Sequence, residues 1–109
     1  MSDELQRFKA EFFKALAHPL RIRILEELSE HEELSVNEIQ TKLNSEGSAV
    51  SQQLSILRNR NIVSGRKEGT SVYYSLKDPM IKDLLQVAKA IFNNHLIDSI
   101  SMLKAIRKD

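Results

Sequence analysis

The chain contains no cysteine and no tryptophan, and only three glycines and two prolines among its 109 residues. The missing cysteine excludes disulfides, thiolate metal sites and cysteine redox switches together. Few glycines and prolines, with 41% hydrophobic residues, suit a mainly helical globule. At this length the expectation is one small domain, residues 1–109, with a modest core. No apolar run is long enough to span a bilayer and no signal-peptide pattern opens the chain, so a soluble cytoplasmic protein without membrane association is expected. There is no phosphate-cradling glycine loop and no nucleophile–base pair in sequence context, which leaves an enzyme without support and implies no cofactor.

The formal net charge of +1 conceals a strong segregation. Residues 1–25 carry five basic and three acidic groups, and residues 26–41 carry six acidic and no basic ones. Residues 42–77 then hold six basic and two acidic groups, a local net of +4. A basic block of this kind is the electrostatic footprint that phosphate binding requires. The acidic block (Glu26, Glu27, Glu30, Glu32, Glu33, Glu38) reads as a solvent-facing surface.

Within the basic block, Ser45 to Arg58 has Val50, Leu54 and Leu57 at helical spacing, so one face can dock on a core. Its other face is built from Ser48, Ala49, Ser51, Gln52 and Ser55, small or amide side chains without charge. Such a face can enter a major groove about 12 Å wide and offer amide groups to base edges. Ile62–Lys67 and Ser71–Leu76 follow as two short strands rich in β-branched and aromatic residues, with Glu68, Gly69 and Thr70 between them. Gly69 suits a positive φ at the turn. Arg66, Lys67, Thr70 and Ser71 at the tip, with Arg58 and Arg60 at the end of the helix, are candidates for phosphate contacts.

Upstream, Ser35-Val36-Asn37-Glu38 matches a capping box that opens a helix from Val36 to Leu43, with Val36, Ile39 and Leu43 inward. A short turn near Asn44 and Ser45 completes a helix-turn-helix, and Glu46 falls in the first turn of the reading helix, where the dipole favours an anion. A first helix carries Leu5, Phe8, Phe12, Phe13 and Leu16 and should stop near Ala17, ahead of Pro19. A second helix, Leu20 to Leu28, should face Ile22, Leu25 and Leu28 inward and leave Arg21 and Arg23 as solvated charges. After the hairpin, Asp78-Pro79 is a helix start. The helix it opens, Met80 to about Ile106, holds apolar residues in period from Ile81 to Ile106. So long a stripe exceeds what a small domain can cover, and marks a partner surface. The simplest partner is a second copy, packed through the first and last helices at Phe8, Phe12, Leu84, Ile91, Phe92 and Ile100.

The resulting order, α-α-α-α-β-β-α with a small β-hairpin wing, is a winged helix-turn-helix, and three blocks resemble the ArsR/SmtB family of bacterial regulators. Phe13 to Leu25 is similar to the family's opening signature, Ser48 to Leu57 to its recognition helix, and Gly65 to Leu76 to its wing. The resemblance covers about residues 5 to 95. It implies a homodimer that binds an inverted repeat in double-stranded operator DNA, usually as a repressor. The family's metal sensors carry paired cysteines near the start of the third helix, where this chain has Ser35 and Asn37. A second family site on the last helix is matched by Asp78, but Met80, Ile91 and Asn94 stand at its remaining positions. One carboxylate does not hold a borderline metal, so no metal sensor is expected. His18, in the Ala-His-Pro turn, reads as a packing or capping group, and His31 as a solvated loop residue. His95 and Asp98, an i, i+3 pair, form a weaker metal candidate.

The competing reading is a winged-helix module that binds protein without reading DNA. A protein-binding helix would expose large apolar anchors, which this reading face lacks.

Overall fold

The computed structural model describes residues 2–107 as seven longer elements and one very short strand. Residues up to Pro79 form one compact unit and the helix from Met80 onward a second.

In the first unit, α1 (Ser2–Leu16) has acids in its first turn and Lys14 in its last, as the helix dipole favours. It ends where Pro19 forces its predecessor out of the helical region: His18 is extended, with φ −152° and ψ 125°. The same residue caps α2 (Pro19–Glu30), its Nδ1 accepting from the Leu20 N–H at 3.2 Å. A two-residue strand β1 (Leu34–Ser35) precedes α3 (Val36–Leu43). The predicted capping box is present: Ser35 Oγ accepts from the Glu38 N–H at 3.1 Å, and Glu38 Oε1 accepts from the Ser35 N–H at 3.0 Å. α4 (Gly47–Asn59) follows, then β2 (Val63–Glu68) and β3 (Ser71–Leu76).

In a glycine-poor chain, asparagine ends α3 and α4. Asn44 and Asn61 both adopt the left-handed region, with φ 50° and 61°. Behind Asn44, its own N–H bonds Thr41 O and that of Ser45 bonds Gln40 O; behind Asn61, the bonds run to Arg58 O and from Ile62 to Leu57 O. Both are Schellman arrangements, in which a small polar residue tolerates the conformation glycine usually supplies. Gly69, at φ 61°, turns the hairpin.

The wing is more than a hairpin. β1 pairs with β3, placing Leu34 opposite Tyr74 and Ser35 opposite Tyr73, so the sheet has three strands in the order β1-β3-β2. β1 leaves no signal in the sequence, because two residues carry no periodicity.

Ile24, Leu25, Ile39, Val50, Leu54 and Leu57 are fully buried and form the centre of the core, with Leu28, Leu34, Ile62 and Val63 nearly so. Ile22, expected inward, is exposed; Ile24 takes its place. The spacing explains it: residues 24, 25 and 28 share an arc of about 100°, and residue 22 lies beyond its edge. Val36 is only half-buried, at the first turn of α3. Glu46 is the N-cap of α4 rather than a first-turn residue, and its side chain makes no capping bond.

The second unit is one helix, α5 (Met80–Arg107), 28 residues long and so about 42 Å. Ile81 is its buried residue, whereas Val87, Ile91, Phe92, Leu96, Ile97, Ile100, Leu103 and Ile106 are exposed. Among the described residues, no helix is long and apolar enough to cross a membrane.

Candidate nucleic-acid interface

Val50, Leu54 and Leu57 pin α4 to the core, so its opposite side faces out. Ser48, Ser51, Gln52 and Ser55 are exposed there, and Ala49 is half-buried at the margin. None of the four exposed side chains is engaged in a hydrogen bond among the described residues. Gly47 opens the helix, with the Gln40 side-chain amide lying close against it.

Two arginines of α2, expected to be solvated, instead stitch the helices together. Arg21 Nε donates to Gln53 Oε1 at 2.7 Å and its Nη1 to the Ala15 carbonyl at 3.1 Å. Arg23 Nη2 donates to the Leu43 carbonyl at 2.8 Å, closing the C-terminal end of α3. Gln53 thus has its carbonyl oxygen taken and its amide N–H groups left available, beside the reading face. Local sequence contains no signal for this pair, since its members lie 32 positions apart.

The candidate phosphate-contacting residues divide. Lys67 and Thr70 are exposed at the wing tip, and Ser71 is half-buried at the start of β3. Arg58 is exposed on the last turn of α4, its Nη1 only 3.4 Å from where a Gly65 Cβ would sit, so it leans on the base of the wing. Arg60 pairs with Glu11 of α1 at 3.0 Å. That bond, with help from Lys14, holds the Glu11 carboxyl below the usual carboxylate range. Arg66 is gripped by Glu33 and Glu68, both at 2.9 Å. Hydrogen bonding from Arg66 lowers the Glu33 carboxyl in turn. Glu33 is therefore a partner of the wing, not a merely solvated acid.

The arginine-bearing α2, the capped α3, the bare-faced α4 and the wing occupy one contiguous stretch of chain. The model of bacterial regulatory proteins of the arsR family matches residues 18–64 of it. An HTH-type transcriptional regulator of Mycobacterium tuberculosis, Rv0081, is 41% identical across 97% of this chain and 93% of its own length. The chain belongs to the ArsR family. ArsR-family proteins are DNA-binding transcriptional regulators rather than enzymes, and so is this one. The Rv0081 crystal structure matches with a TM-score of 0.79 and 44% identity, covering 88% of this chain and 96% of that one. PagR, a transcriptional repressor of Bacillus anthracis, is 33% identical over 75% of this chain and 82% of its own length. The homodimeric winged helix-turn-helix DNA-binding domain of Mb0332 from Mycobacterium bovis matches at 28% identity and a TM-score of 0.77, covering 87% of each chain.

Against the family's metal positions, Ser35 here uses its hydroxyl to cap α3, and Asn37 presents an exposed neutral amide. His95 and Asp98 are exposed on α5. Among the described residues, no three His, Cys, Asp or Glu side chains gather into a metal-sized group. His18 serves as the α2 cap, and His31 caps its far end, with Nδ1 3.1 Å from the Glu27 carbonyl oxygen.

Proposed function

We propose that this ArsR-family chain acts as a single winged-helix domain and a homodimeric repressor. It lays α4 into the major groove of an inverted-repeat operator and sets the wing on the flanking backbone. The observation that carries this reading is the outer face of α4: exposed, uncharged, unengaged and adjacent to a wing on which Lys67 is an exposed cation without an ion pair among the described residues. Ser48, Ala49, Ser51 and Gln52 read bases; a glutamine amide can bond adenine N6 and N7 together. Arg58, Arg60, Lys67, Thr70 and Ser71 serve the backbone, Arg60 after release from Glu11. The exposed apolar residues Phe8, Ile91, Phe92 and Ile100, with half-buried Phe12 and Leu84, meet their counterparts in a second copy. The cytoplasm is the compartment where such a protein meets its DNA.

Selection of bound duplexes from random DNA tests the reading directly, with a two-fold symmetric consensus as the expected result. Enrichment of no sequence would defeat it. Regulation in this reading involves no metal at the family's positions, because Ser35, Asn37, Met80, Ile91 and Asn94 are poor ligands there. Stoichiometric Zn(II), Cd(II) or As(III) should leave operator affinity unchanged. Tight Zn(II) binding that disappears in His95→Ala would point to the α5 pair instead.

A further inference from the structure

Two neighbouring cations of the wing have opposite surroundings. Arg66 Nε and Nη2 donate to Oε2 and Oε1 of Glu33, and Nη1 donates to Oε2 of Glu68, all at 2.9 Å. Its guanidinium carbon lies 5.1 Å from the centre of the Tyr73 ring. The sheet register explains how one side chain reaches so far. Arg66 of β2 lies opposite Tyr73 of β3, and Tyr73 lies opposite Ser35 of β1. Glu33 stands two residues before Ser35, just ahead of β1, and its carboxylate meets the guanidinium there. The guanidinium crosses the middle strand over the Tyr73 ring and closes a fork on a carboxylate beyond the far strand. Planar, two-point pairing of this kind is specific to arginine. Lys67, opposite Val72, projects from the other face of the ribbon. It makes no hydrogen bond or ion pair among the described residues.

Charge separates the two further. Arg66 with Glu33 and Glu68 forms a local set of net charge −1, so a phosphate meeting it would release little counterion. Lys67 is uncompensated, and counterion release is what gives a phosphate contact its affinity and its salt dependence.

We propose that Arg66 is a positioning residue: it and Glu33 fasten the wing to the segment ahead of α3, and Lys67 is the wing's phosphate-contacting charge. This rests on the reading above, in which the wing lies on DNA. By joining β2 to the residue before β1, the fastening sets the pitch of the wing relative to the helix-turn-helix. Loss of either partner therefore weakens binding through geometry, not through charge.

The test uses the full chain and the duplex obtained by selection, with a scrambled duplex as control, across a salt series. Lys67→Ala should flatten the plot of log K against log salt by roughly one unit per subunit. Arg66→Ala and Glu33→Ala should each lower operator affinity about two- to fivefold, the range of a well-formed exposed ion pair. Both should keep the wild-type slope, and the double variant should be no weaker than either single one. Thermal midpoints close to wild type would confirm that the losses are not losses of fold. A flattened slope in Arg66→Ala, or a gain of affinity in Glu33→Ala, would mean that Arg66 itself contacts phosphate, and would overturn the proposal. If Lys67→Ala and Gln52→Ala both bind like wild type, the docked orientation itself is wrong and the proposal falls with it.

Discussion

Apolar residues at helical spacing meet two different fates in this chain. In α2, α3 and α4, Ile24, Leu25, Ile39, Leu54 and Leu57 have no exposed surface. In α5 the same residue types remain open, Ile91 at 64%, Phe92 at 60% and Leu103 at 57%. Propensity does not separate the two groups; connectivity does. The left-handed turn at Asn44 folds α4 back on α3, and α2 packs against both, so that these three stripes close on one another. α5 runs for 28 residues without a turn, and its stripe stays uncovered. The first kind of stripe holds a fold together, whereas the second is suited to holding an assembly together.

The largest effect should come from the closed stripe. Leu54→Ala empties a fully buried site in the middle of the core and should cost about 2–5 kcal/mol, read from denaturant unfolding. A loss under about 1 kcal/mol would mean that the site collapses around the gap and the core is less tightly closed than its burial indicates.

On the open stripe the expectation inverts. Phe92→Glu should leave the far-ultraviolet spectrum intact, shift the mass in light scattering from two chains to one, and lower operator affinity on the order of a hundredfold as the second half-site is lost. A wild-type chain that scatters as a monomer at micromolar concentration would remove the contrast between the two stripes altogether.

A third, smaller effect belongs to the bare face of α4. Gln52→Ala should reduce discrimination between operator and scrambled DNA by roughly 1–3 kcal/mol while leaving the salt slope unchanged. Equal losses on both duplexes would show that this face adds affinity without reading sequence.

The smallest effects are expected at the capping box of α3. Ser35→Ala should cost about 1 kcal/mol of stability. Bonding from the Ser35 N–H holds the Glu38 carboxyl below its ordinary value of 4.5. A carboxyl lowered in the folded state stabilises the fold above the unfolded value, and that contribution disappears as pH falls through the folded one. Glu38→Gln keeps a group able to accept from Ser35. Its stability should therefore fall less steeply with acidification below about pH 4.5. An unchanged acid limb in thermal melts across pH would show that the bond does not depend on ionisation.

Much of the fold was legible because it is written in local signals. Pro19, the Ser35–Glu38 box, Gly69 and the apolar periods located five helices and a hairpin within a few residues of their observed bounds. The reading face of α4 was legible for the same reason: the phase set by Val50, Leu54 and Leu57 dictates which residues point away. Ile22 was misplaced because three apolar residues at i, i+3 and i+6 drift around a helix, and only contact with α3 and α4 selects the arc that is buried.

By itself, then, the sequence determined the helix ends, the turn, the phase of α3 and α4 and the separation of acidic from basic segments, since each depends on residues within about one or two turns of one another. Tertiary structure alone decided the partners. Arg21 reaches Gln53, Arg66 reaches Glu33, and Leu34–Ser35 becomes a strand only because β3 returns beside it. Those pairs are separated by 32, 33 and about 40 residues. A guanidinium reads the same in sequence whether it ends on solvent, phosphate or carboxylate. Its role follows from what the folded chain brings within 3 Å of it.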